Sequence, residues 1–107
     1  MTTTTHYGSV VLTFKAHREG DVYVSECVEL GTSSFDETFE GAIEAAVEAT
    51  MIYLESLIEE GQLEAVLQQH DVKLLASGQA DDQEIPVTAH AGEMVSPRIL
   101  KIPTLAA

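Results

Sequence analysis

The chain of 107 residues carries 18 acidic and 5 basic side chains and a formal net charge of −13 at neutral pH. A chain of this length forms one domain and buries roughly two-thirds of the surface that its unfolded form exposes. Nucleic acids and anionic membranes are recognised by clustered lysine and arginine side chains, so this charge argues against direct binding to either. No lysine or arginine lies between Arg18 and Lys73, an interval that holds most of the acids. We therefore expect the partner to be a basic protein.

The lone cysteine, Cys27, cannot form an intramolecular disulfide, which favours a reducing compartment. Residues 1–8 lack the basic and apolar regions of a signal peptide and are expected to form a flexible leader. Glutamates interrupt the longest apolar runs well short of the roughly 20 residues that a membrane span requires. We therefore expect a cytoplasmic protein.

Residues 9–17 alternate between apolar and polar side chains, and this period of two predicts a half-buried strand. The turn sequence at residues 19–21 contains Gly20, which supplies the positive φ that a tight reversal needs. Residues 22–25 favour a second strand, so a hairpin is expected. The side chains of the first strand expected in the core are Val10, Leu12 and Phe14.

The inward face of the second strand is open between two sets of side chains. Val22 and Val24 form one compatible core set, and Tyr23 and Cys27 form the other. Residues 32–35 are few and β-favouring, and they predict a short third strand.

Residues 36–60 are the most strongly patterned part of the chain, with apolar side chains recurring every three to four positions. This is the period of an amphipathic helix. We expect the helix to begin within residues 36–39, where side-chain oxygens can cap it, and to end before Gly61, a typical C-cap glycine. The side chains expected to face the core are Phe39, Ile43, Val47, Leu54 and Leu57.

Glutamates occupy the opposite side of this helix, with no basic residue in the same stretch to offset them. Like charges four residues apart cost a helix about a few tenths of a kcal/mol each, so the helix depends on packing against a sheet. Two interpretations remain open, a solvated surface or a docking face for a basic partner. The candidate partner-binding residues are Glu40, Glu44, Glu48 and Glu55.

The remainder of the chain predicts shorter elements. Residues 62–69 repeat the helical pattern and predict a second helix, and residues 72–75 predict a brief extended run. Residues 76–84 are neither periodic nor apolar, and all three prolines follow them. Within the tail, residues 85–87 and 99–102 are candidates for edge strands.

Together these elements predict an α+β fold in the order β-β-β-α-α-β. The expected sheet is antiparallel and three- to four-stranded, with one long amphipathic helix on one face and a short second helix. The expected organisation is a leader over residues 1–8, a domain over residues 9–75, and a loop and extended tail over residues 76–107. Because a small sheet leaves free edges, we also expect a homodimer.

No group of side chains has the spacing of a catalytic or metal site, so no enzyme activity, metal or cofactor is expected. Cys27 has no neighbour in sequence that would activate it and is expected to pack in the core. The histidines are scattered, at His6, His17, His70 and His90. The acids that invite a magnesium or acid/base interpretation, but are expected to be solvated, are Glu26, Glu29, Asp81, Asp82 and Glu84.

Four short motifs lie between residues 21 and 61: Tyr23-Val24, CVELGTSS at residues 27–34, DETFEGAI at residues 36–43, and Tyr53-Leu54-Glu55. Together they resemble the HicB-like antitoxin family, whose pattern has a C-P-E-L-type turn and a D-T-x-E-E-A helix start. The resemblance covers about two-fifths of the chain. Three positions depart from the pattern: Val28 where proline is usual, Phe35 where glycine often precedes the cap, and Gly41 where a glutamate is usual.

The resemblance implies a partial ribonuclease-H-like fold, which agrees with the elements predicted above. It also implies a protein that binds and neutralises a small basic messenger-RNA-cleaving toxin. Many members carry a C-terminal DNA-binding segment, which residues 76–107 do not resemble, so the chain is expected to be a stand-alone member. The alternative function is a solitary HicB-like domain with a structural or regulatory role and no toxin partner.

Overall fold

The computed structural model describes residues 6–76 and 89–104 and confirms the predicted α+β fold class. Its described sheet has five strands, more than the three or four expected. The predicted strand at residues 85–87 lies outside the described residues. The elements in chain order are β1 (His6–Glu19), β2 (Val22–Cys27), β3 (Ser33–Asp36), α1 (Phe39–Glu59), α2 (Leu63–Gln69), β4 (Leu74–Ala76) and β5 (Glu93–Thr104).

β1 is the central strand of the sheet because both of its edges have antiparallel partners. β5 pairs along one edge over twelve residues, from His6 opposite Thr104 to His17 opposite Glu93. The other edge is shared between β2, which pairs with residues 14–19, and β4, which pairs with residues 8–10. β3 pairs with β2. Among the described strands, β3, β4 and β5 therefore each have one edge without a strand partner.

The apolar side of β1 packs beneath α1, since alternate side chains of a strand point to the same face. Four side chains of β1 are completely buried there: Val10, Leu12, Phe14 and Ala16. From β5, Leu100 and Ile102 join this core. The part of the expected tail that the structure describes thus contributes a long strand and two core side chains.

The register of the hairpin decides which face of β2 is inward. Cys27 lies opposite Phe14 in the ladder, and paired residues of an antiparallel sheet direct their side chains to the same face. Tyr23 and Cys27 therefore face α1. Of the two sets of core side chains that the sequence leaves open, this is the one that the structure selects. Val22 and Val24 lie on the opposite side of the sheet, called the outer face below.

α1 has the caps that its sequence predicts. The Thr38 hydroxyl oxygen accepts the Gly41 N–H at 2.9 Å, so Thr38 is the N-cap. After the C-cap Glu60, Gly61 adopts a φ of 68°, the left-handed conformation that commonly ends a helix. The buried side chains of α1 are Ala42, Ile43, Ala46, Thr50, Leu54 and Leu57.

Two of the predicted core side chains of α1, Phe39 and Val47, are half-buried and pack at the margin of the core. The Phe39 ring lies 4.2 Å from the Tyr23 ring, centroid to centroid, in a tilted arrangement. Aromatic pairs at this separation contribute about 0.5–1.5 kcal/mol beyond the area that they bury. This contact fixes the start of α1 over the end of the hairpin.

Gly41 lies where the polypeptide closes tightly between β3 and α1. A Cβ atom at this position would collide with Asp36 Oδ2 and lie 2.8 Å from the capping oxygen of Thr38. Glycine in a helix costs about 1 kcal/mol relative to alanine, but here it lets Asp36 lie against the first helical turn. This departure from the HicB-like pattern therefore has a local packing reason.

Thr50 is a polar side chain completely buried within α1. Its hydroxyl donates to the Ala46 carbonyl at 2.8 Å. Because this bond uses its single proton, the Thr32 hydroxyl, 2.5 Å away, is the donor between the two threonines. The pair ties the turn between β2 and β3 to the middle of α1.

Candidate functional site

The carboxylate of Glu29 fills a gap in the sheet. On the edge of β1 that β2 and β4 share, residues 11–13 lie between the two partners and have no strand beside them among the described residues. Glu29 Oε1 accepts the Thr13 backbone N–H at 2.7 Å, and Oε2 accepts the Thr13 hydroxyl at 2.9 Å. The Val28 N–H donates to the Thr13 carbonyl at 2.8 Å. Glu29 is therefore a structural group that completes the ladder.

The turn that presents Glu29 is closed by its own backbone. The Cys27 N–H donates to the Thr32 carbonyl at 2.8 Å, and the Gly31 N–H donates to the Cys27 carbonyl at 2.9 Å. Gly31 has a φ of 77°, which the glycine of the CVELG sequence accommodates without strain. The motif that carries much of the family resemblance thus has a structural role in this chain.

Cys27 is completely buried beneath α1. Burial raises the pKa of its thiol above the ordinary value, and the nearby charge of Glu29 raises it further. The thiol is therefore protonated at neutral pH, whereas a cysteine nucleophile reacts as the thiolate. This environment fits the packing role that the sequence predicts for Cys27.

Charged side chains on the outer face are paired with one another. Lys15 Nζ lies 3.3 Å from Glu26 Oε1 and 3.7 Å from Glu93 Oε2. The His90 backbone N–H, 3.0 Å from Glu93 Oε1, holds the pKa of Glu93 below its ordinary value. Within residues 6–76 and 89–104, no group of histidine, cysteine or acidic side chains has the geometry of a metal site. The acids at 81, 82 and 84 lie outside the described residues.

The predicted partner-binding glutamates lie together on the exposed side of α1. Glu40, Glu44 and Glu48 follow one another at intervals of four residues and form a line along the helix. Ile52 continues this line and is 59% exposed. Glu55 lies beside it, one turn further along. We call these five residues the acidic helix surface.

The acidic helix surface has one basic neighbour, which the sequence pattern does not reveal. Arg98 of β5 lies opposite Leu12 in the ladder, on the side of the sheet that faces α1, and its Nη2 atom lies 2.6 Å from Glu44 Oε1. The two residues are 54 positions apart, so no local signal connects them. Within the part of the chain that the structure describes, Glu40, Glu48 and Glu55 have no ion-pair partner. The local charge is therefore strongly negative around an exposed isoleucine.

Comparisons with known proteins identify no relative: no protein-family model, curated protein or solved structure matches the chain. The resemblance to HicB-like antitoxins therefore depends on the quoted motifs alone. None of the helices in the described ranges is long and apolar enough to span a membrane.

Proposed function

We propose that this protein is a HicB-like antitoxin, or a related protein-binding module, that neutralises a small basic messenger-RNA-cleaving toxin. The observation that carries the proposal is the acidic helix surface, in which glutamates surround the exposed Ile52. Protein interfaces commonly combine an apolar centre with a polar rim, and opposite charges on the two partners accelerate their encounter. α1 contains five glutamates and no basic residue, so the surface favours a basic partner.

Other features of the chain support the same proposal. The fold begins with three strands followed by a long helix, as in the arrangement that the family resemblance implies, and the CVELG turn and the capped helix start have defined structural roles. The net charge of −13 disfavours nucleic acid as a direct ligand. A protein that restrains a messenger-RNA-cleaving toxin acts in the cytoplasm, where a single unpaired cysteine is common.

Co-purification tests the proposal directly. The protein is expressed together with the product of the adjacent small gene, and only one of the two carries an affinity tag. We expect the untagged protein to elute with the tagged one in a stoichiometric complex at low salt. The absence of a short basic reading frame beside the gene, or of any complex at low salt, contradicts the proposal and favours the solitary domain.

Changing Glu48 and Glu55 together to glutamine tests the role of the acidic helix surface. These positions leave the Arg98–Glu44 pair intact, so we expect the free energy of unfolding to change by less than about 0.5 kcal/mol. Association with the basic partner is expected to slow by about tenfold at low salt, and its dependence on salt to weaken. Stopped-flow measurements at two salt concentrations determine both quantities.

A matched control removes the same amount of charge elsewhere. Asp21 lies in the hairpin turn and Glu64 in α2, and both are exposed. The variant Asp21→Asn with Glu64→Gln has the same net charge as the test variant. If association slows equally in the two variants, only the total charge matters, and the acidic helix surface is a solvated surface and not a docking face.

The proposal includes a homodimer that forms through the β5 edge. Two copies of an acidic chain repel each other, and β5 is the outer strand that avoids this, with one acid, Glu93, and two bases, Arg98 and Lys101. Ile99 is 40% exposed near the middle of the strand. We expect light scattering at micromolar concentration to give twice the 11.6 kDa mass of one chain. A mass of 11.6 kDa contradicts the dimer.

A further inference from the structure

The strand β3 presents an unused hydrogen-bonding edge. The Cys27 N–H donates to the Thr32 carbonyl, so these two residues form a hydrogen-bonded pair between β2 and the start of β3. Bonded and non-bonded pairs alternate along an antiparallel ladder, and the register places Ser33 opposite Glu26 and Phe35 opposite Val24. The N–H and C=O groups of Ser33 and Phe35 therefore point away from β2. No described strand pairs with them.

An exposed apolar surface lies directly beside this edge. Phe35 is 69% exposed on the outer face, next to Val24, its half-buried ladder partner. A shallow pocket at the same place is lined by Val22, Val24, Ser33, Ser34 and Phe35. Four backbone hydrogen-bonding groups beside an apolar pocket are the features by which sheet edges bind extended peptides.

The opposite edge of the sheet, along β5, is interrupted by two prolines and is proposed above as the dimer contact. The backbone N–H and C=O groups of Thr13 bond to Glu29 and Val28, so they point away from β5. Pro97 is the ladder partner of Thr13, and its backbone groups therefore point away from β1, to the outer side of β5. The backbone groups of Pro103, six residues further along β5, also point away from β1. Both prolines lack an N–H group, so β5 loses donors at two outward positions. β3 has intact donors at both of its outward positions.

We infer that the β3 edge binds an extended segment of a basic protein partner, which adds a strand beside Ser33 and Phe35. The charge around the edge selects the partner: Asp36 is the last residue of β3, Glu37 follows it, and no lysine or arginine occurs between Arg18 and Lys73. The bound segment alternates apolar side chains, packed on Phe35 and Val24, with basic ones. The natural identity of this partner rests on the proposed function.

The experiment uses the full-length protein and a nine-residue peptide of alternating lysine and valine, blocked at both ends. Amide NMR spectra are recorded during titration. We expect shifts centred on residues 33–36, slower hydrogen exchange at Ser33 and Phe35, and weaker binding at higher salt. Two altered peptides and two protein variants complete the design: the same peptide with glutamate in place of lysine, a version N-methylated at alternate residues, and the variants Ser33→Pro and Ser33→Ala.

Ser33→Pro removes an outward N–H that β2 does not use, whereas Ser33→Ala retains it. We expect at least tenfold weaker binding for Ser33→Pro, for the glutamate peptide and for the N-methylated peptide, and nearly unchanged binding for Ser33→Ala. If Ser33→Pro fails to fold, the N-methylated peptide still tests the hydrogen bonds. Shifts confined to α1 or β5, or equal binding of the methylated and unmethylated peptides, overturn the inference.

The same variants separate this inference from the proposed function. If the adjacent gene's product binds wild type and Ser33→Pro equally, the β3 edge is not its site and the proposed function stands. If the lysine–valine peptide binds at residues 33–36 while the adjacent product does not bind at all, the edge is confirmed as a peptide site and the proposed toxin is wrong.

Discussion

Replacing Phe14 with alanine is expected to lower the free energy of unfolding by about 3–5 kcal/mol, the usual cost of deleting a large aromatic side chain from a core. Phe14 is completely buried in the middle of the central strand, between β2 and β5 and beneath α1. A small domain has a total stability of about 5–15 kcal/mol, so the loss is a large part of the whole. Urea denaturation followed by circular dichroism measures it.

Phe35→Ala is the matched control, since it deletes the same side chain from an exposed position. Phe35 is 69% exposed on the outer face, so we expect a change of less than about 0.5 kcal/mol in the free energy of unfolding. Similar losses in the two variants are incompatible with the sheet faces described above.

The second large effect is expected at Glu29, because its carboxylate satisfies the edge of the central strand. Glu29→Ala leaves the half-buried Thr13 N–H without its partner and is expected to cost about 1–3 kcal/mol. Glu29→Gln retains one oxygen acceptor and is expected to cost less. Hydrogen exchange at the Thr13 amide, which should accelerate in Glu29→Ala, provides a second measurement at the affected bond.

Glu26→Ala is the control for Glu29. Glu26 lies three residues away, but its carboxylate is exposed and pairs with Lys15 on the outer face. Exposed ion pairs contribute about 0–1 kcal/mol, so the control is expected to be nearly neutral. A loss at position 29 no larger than that at position 26 contradicts the structural role of Glu29.

Local patterns predict the helices and the hairpin because their signals lie within a few residues. The period of α1, the Thr38 cap and Gly61 all act on neighbouring backbone groups. The sequence leaves the faces of β2 open because valine and tyrosine both favour strands and both pack in cores. Only the register with β1 distinguishes the two sets.

The sequence underestimates β5 because two prolines interrupt its pattern. Pro97 and Pro103 would break a ladder if their N–H positions faced β1, but both point to the free edge, where the ladder with β1 needs no donor. The short edge strand predicted at residues 99–102 is therefore part of the twelve-residue strand Glu93–Thr104. Whether the nitrogen of each proline faces β1 or the free edge depends on the register, which the sequence alone does not give.

The candidate site shows the same division between local and distant signals. The line of glutamates on α1 follows from helical spacing, and Ile52 lies in the same line. The partners of Glu29 and Glu44, in contrast, are 16 and 54 residues away, and only the fold brings them together. The carboxylate of Glu29 could be identified as structural only after the gap between β2 and β4 was known.

Inhibition of messenger-RNA cleavage tests the proposed neutralisation most directly. The purified product of the adjacent small gene is incubated with a synthetic messenger RNA, and this protein is added in increasing amounts. We expect cleavage to stop at a stoichiometric ratio and the Glu48→Gln, Glu55→Gln variant to require a higher concentration. Undiminished cleavage in the presence of excess wild-type protein contradicts the proposed neutralisation.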